Sequence, residues 1–111
     1  MKAPTVRGMS HTRSKLLYPN TSLEFVPLEG EMVFYSKTRN GYFGVSGVAA
    51  DILTIFQGVH SGLSLTDLID EISSGRSLEI EEERLIMNGV TTLIDLGAIY
   101  EKLKRIYLYH P

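Results

Sequence analysis

Cysteine is absent from this 111-residue chain. Disulfides, thiolate nucleophiles and cysteine-based metal sites are excluded with it. The absence is compatible with a reducing compartment. Long apolar runs are also missing, and none reaches the roughly 18 residues that a membrane span needs. Lys2 near the N-terminus is followed by no apolar h-region, so no signal peptide is read there. Strong charge of either sign is lacking too, since the formal net charge is −2. That balance gives no overall electrostatic pull toward nucleic acid or an anionic membrane. The expectation is a soluble cytoplasmic protein.

Convergent chemistry is equally scarce. His11, His60 and His110 are far apart, and none stands at metal-ligand spacing from another histidine. No phosphate-cradling glycine loop precedes a Lys-Ser or Lys-Thr pair. Glu79, Glu81, Glu82 and Glu83 read as the acidic start of a helix, where the macrodipole favours negative charge. Consecutive helix positions point in different directions and make a poor shared ligand set. No catalytic residue, metal site or cofactor is expected, and the chain is read as a non-enzyme.

What is present is a well-punctuated α+β pattern. Residues 1–20 show no period and read as a flexible basic arm, with Leu16, Leu17 and Tyr18 able to anchor its end. Three strand signals follow within Leu23–Leu28, Met32–Tyr35 and Tyr42–Val45. Glu29-Gly30 marks one turn, and Asn40-Gly41 carries the pair favoured by a type I′ turn. A three-stranded antiparallel meander is expected. Ser46 then caps a helix with the stripe Ala49, Ile52, Leu53 and Phe56, closed by Gly58. Ser64 with Asp67 resembles a capping box for a helix burying Leu65, Leu68, Ile69 and Ile72, which stops before Gly75. The last helix runs from about Glu79 to Leu96, and Gly97 closes it. Residues 21–99 thus read as one βββααα domain. The basic tail, residues 100–111, reads as a further strand or a packed arm.

The last helix has an unusually wide apolar surface. At about 100° per residue, Ile80, Ile86, Met87, Val90, Leu93 and Ile94 form a core arc. Glu81, Arg84, Asn88, Thr91 and Asp95 lie opposite. Leu85, Gly89, Thr92 and Leu96 make a third stripe. A helix-interior glycine costs roughly 0.5–1 kcal/mol relative to alanine, and such a cost often accompanies close approach by something. Two readings stay open: the sheet or the tail fills this groove, or a partner segment does. The third strand is the natural neighbour. Its free edge suits strand addition.

The segment Asn40–Leu53, with Tyr42-Phe43-Gly44-Val45 leading into Ser46 and a helix, resembles the hallmark of the PqqD-like family. Val45 stands where that family has Leu, and Ser46 where it has Asn. Leu65-Thr66-Asp67-Leu68-Ile69 is similar to the family's second helix, and Leu93–Ile99 to the end of its last helix. The similarity covers residues 22–99. It implies a winged-helix-like domain that recognises the leader of a ribosomally made precursor peptide, as in lasso-peptide pathways. The leader would add as a fourth strand beside Tyr42, Phe43, Gly44 and Val45, against Leu85, Gly89, Thr92 and Leu96. The partners implied are that leader and a modifying enzyme or leader peptidase. The long arm, the basic tail and Gly89 depart from the family's pattern. The rival reading is a winged-helix DNA-binding regulator, disfavoured by the acidic start of the last helix.

Overall fold

The computed structural model describes residues 13–59 and 61–105. His11, His60 and His110 lie outside those residues. So do Ile106 and Leu108, the alternating part of the tail.

The meander forms as expected. Strand β2 (Val26–Leu28) pairs with β3 (Glu31–Ser36), and β3 pairs with β4 (Gly41–Val45), all antiparallel. The two turns are exchanged relative to expectation. Leu28 pairs with Glu31, so Glu29 and Gly30 form a two-residue loop. Their φ values of 50° and 84° are the pair of positive angles a type I′ turn requires. Between β3 and β4 the register is Ser36 opposite Gly41, which leaves a four-residue loop. There only Asn40 is left-handed, at φ 55°. The physical reason lies at Ser36, whose Oγ accepts from the Arg39 amide at 3.2 Å and so holds a wider turn.

Three helices follow: α1 (Gly47–Gln57), α2 (Leu65–Ser73) and α3 (Ile80–Asp95). Ser64 Oγ accepts from the Asp67 amide at 3.0 Å, as its position predicted. Ser46 sits at the N-cap of α1 but makes no side-chain capping bond. The helix start instead uses Gly47 at φ +62°. Helix α3 ends in a Schellman motif: Ala98 N–H reaches Leu93 O at 2.9 Å and Gly97 N–H reaches Ile94 O at 3.0 Å. Gly97, at φ +78°, supplies the left-handed turn.

The expected flexible arm is corrected in part. Its residues Arg13–Pro19 form strand β1, paired antiparallel with β5 (Ile99–Arg105) from Arg13↔Arg105 to Pro19↔Ile99. This two-stranded ribbon is a second sheet, so the order is ββββαααβ rather than βββααα. Leu17 exchanges backbone bonds with Leu63, at 2.7 and 2.9 Å, which closes the outer edge of β1 at that point. Asn20 donates through Nδ2 to Gly97 O at 2.9 Å, tying the end of β1 to the end of α3.

One core joins these parts. Phe34, Ile52, Leu53, Phe56, Leu68, Leu93 and Ile99 are almost wholly buried in it, with Leu17 of the ribbon. The result is an α+β fold in which both sheets share one hydrophobic centre.

Candidate functional site

The site begins with an unevenly covered sheet. Side chains alternate along a strand, and Met32 and Phe34 of β3 face the core, both buried. Their register partners on β4 are Val45 and Phe43. These sit on the same face, touch the core, and are only partly buried. The cover over the sheet therefore ends between β3 and β4. Beyond β4 no strand pairs with it among the described residues, so its outer N–H and C=O groups form an open edge. Tyr42 lies on the other face, 77% exposed, with its ring edge-on to Tyr35 at 5.1 Å between centroids. Tyr35 Oη donates to Asn40 Oδ1 at 2.6 Å, which fixes the loop leading into β4. Gly44 is exposed beside Tyr42.

Helix α3 is held at two points that bracket β4. At its C-terminal end, Ser36 Oγ donates to Leu96 O at 2.7 Å and Thr38 Oγ1 donates to Asp95 O at 3.1 Å. These hydroxyls, from the end of β3 and the loop before β4, satisfy carbonyls that a helix end leaves free. Midway along α3, Gly89 meets the start of α1, which directly follows β4. A β-carbon built there falls 3.0 Å from Ile52 Cδ1, 3.6 Å from Val48 Cγ1 and 3.7 Å from the Ala49 nitrogen. The segments just before and just after β4 thus hold residues 89–96 of α3, while β4 itself packs chiefly on β3.

The four residues of the third stripe have different fates. Leu85 is 55% exposed and Thr92 is exposed, as a groove wall requires. Leu96 is buried in the core, and Gly89 is occupied by α1. The stripe as a whole is therefore not a groove lining. The reason is that α1 crosses α3 on this face, and the glycine permits that crossing. The core arc also needs correction: Ile86, Val90 and Leu93 are buried, but Ile80 and Met87 are exposed. On the opposite flank of α3, Met87 joins Leu17, Leu65, Val90 and Ile94 around a groove of about 480 Å³. A helical wheel places Met87 on the core side, but in the structure it is exposed at this groove.

Electrostatics at the site are mild. The acidic start of α3 serves the helix: Glu79 N–H donates to Glu82 Oε1 at 3.0 Å. That bond holds the Glu82 carboxyl below its usual range, aided by Arg76 and opposed by slight desolvation. Among the described residues, no three histidine, aspartate or glutamate side chains converge as a metal site. Nor is any helix there long and apolar enough to cross a membrane.

Comparison of the chain with protein-family models, with curated proteins and with solved structures finds no match.

Proposed function

We propose that this protein is a non-catalytic recognition module for the leader of a precursor peptide, bound as an added strand on the free edge of β4. The observation that supports it is the cover that stops between β3 and β4. The same sheet face is closed at Phe34 and Met32 and only partly covered at Phe43 and Val45. An extended segment pairing with β4 gains main-chain hydrogen bonds from the edge. Its alternate side chains then continue the Phe43–Val45 face toward α3, where Thr92 and Leu85 are exposed. Leu96 and Gly89 support this wall from behind rather than touching the peptide.

In this reading β2–β4 and α1–α3 form a winged-helix-like unit, and the module delivers its peptide to a separate modifying enzyme or leader peptidase. It works in the cytoplasm, without cofactor, metal, nucleic acid or membrane. The test is amide exchange with a synthetic leader, taken from a precursor encoded beside this chain's gene. Exchange along Tyr42–Val45 should slow on saturation. Unchanged exchange there under saturating peptide rules the mode out.

A further inference from the structure

The charges of this chain are segregated by the fold. Strands β1 and β5 carry five cations, Arg13, Lys15, Lys102, Lys104 and Arg105, and one anion, Glu101. Residues 20–98 carry four cations and twelve anions. The small net charge conceals this division, because the two halves of the cationic set lie at opposite ends of the sequence. Only the pairing of β1 with β5 brings them together.

Among the described residues, the ribbon's outer edges differ: that of β1 is bridged at Leu17 by Leu63 and that of β5 is unpaired. Tyr18 and Tyr100 stack with ring centroids 5.6 Å apart, and Lys102 Nζ lies 5.9 Å above the Tyr18 ring.

From the open edge and the charge together, we infer that β5 is a second strand-addition site, selective for an extended acidic polypeptide segment. Lysines on an edge strand commonly block pairing with another copy. Antiparallel pairing of two β5 strands about Lys102 sets like charges opposite each other, which is destabilising. The same charges attract a strand rich in Glu or Asp. The chain's residues 1–12 are themselves cationic, through Lys2 and Arg7, and do not complement β5. A nucleic acid offers charge but no backbone to complete a sheet, and it must also approach the anionic remainder of the fold.

This site is independent of the proposed β4 site, and one experiment separates them. The probe is a fluorescein-labelled dodecapeptide of alternating Glu and Val, titrated by polarisation onto the full-length protein. Controls are a Lys-Val peptide, a Glu-Val peptide with proline at alternate valines, and oligodeoxythymidylate of twelve nucleotides. The Glu-Val peptide should bind and should slow amide exchange at Tyr100–Lys104 while leaving Tyr42–Val45 unchanged. The double variant Lys102→Glu/Lys104→Glu should weaken it at least tenfold, with the fold verified by its circular dichroism. Three results overturn the inference: no binding of the Glu-Val peptide, equal binding of the proline peptide or the oligonucleotide, or protection confined to Tyr42–Val45. The exchange measurement uses the natural sequence, so it stands even if the double variant misfolds.

Discussion

Gly89→Ala tests the helix crossing on which the site geometry depends. On helix propensity alone the change should stabilise α3 by roughly 0.8–1.0 kcal/mol. The added methyl, however, arrives 3.0 Å from Ile52 Cδ1, and Ile52 is fully buried. Overpacking a dense core typically costs about 1–3 kcal/mol. Only one methyl must move, by a few tenths of an ångström, so the low end of that range applies. The two effects nearly cancel, and Gly89→Ala should range from neutral to about 1 kcal/mol destabilising. Ile52→Val removes the obstructing Cδ1 at a cost of roughly 0.5–1.5 kcal/mol by itself. In that background the alanine methyl meets no Cδ1, and Gly89→Ala should stabilise by about 1 kcal/mol. The double-mutant cycle should therefore show a favourable coupling of about 1–2 kcal/mol. Urea unfolding of the four proteins measures it, provided the slopes agree. Additive effects, with Gly89→Ala stabilising equally in both backgrounds, would refute close packing of α3 on α1. Peptide affinity should not change, because Gly89 faces α1 and not a ligand.

Leu85→Arg should shift stability by no more than about 0.5 kcal/mol while weakening leader binding, whereas Leu96→Arg should unfold the protein; thermal melts separate the two. Ser36→Ala removes the hydroxyl bonded to Leu96 O and the Arg39 amide, and should cost about 1–3 kcal/mol in urea unfolding. Glu82→Gln keeps an acceptor for the Glu79 amide but loses the charge. The folded Glu82 carboxyl titrates below its usual range, so its stabilisation is complete above that range and is lost as pH falls through the lower folded value. The stability gap between natural protein and variant should close on acidification, read from melting points at stepped pH; a gap that widens would contradict the assignment.

Local signals in the sequence were sufficient for the helices. Ser64, the glutamates at 79–83 and Gly97 each act within one turn of chain, and each does what its residue type favours. The meander was legible for the same reason, since its pairings are a few residues apart. The ribbon was not. Leu17 and Glu101 are register partners separated by most of the chain, and adjacent Leu16 and Leu17 with Pro19 spoil the alternation of β1. The third stripe failed for a related reason. A helical wheel shows that Gly89 and Leu96 share a side, but not that α1 fills part of it. The turns exchanged roles because Ser36 Oγ widens one loop through a contact that dipeptide preferences ignore. Of the candidate site, β4 and its alternation were readable; the place where the cover over the sheet stops was not.

Pairing of β1 with β5 also has a consequence for how the chain can be rewired. Antiparallel partners leave a ribbon at the same end, so Arg13 and Arg105, opposite each other in register, are separated by only about 5 Å. A two-residue Asn-Gly link could join them as an ordinary hairpin. New termini could then open at Gly75, an exposed glycine after α2 at φ +84°. Such a circular permutant, which omits residues 1–12 and 106–111, keeps the contacts among the elements described but makes the longest-range pairing local. Ribbon closure in the natural order must gather almost the whole chain; in the permutant it precedes everything else. Folding should accelerate, since low contact order favours speed, and the ribbon should pass from the last element formed to the first.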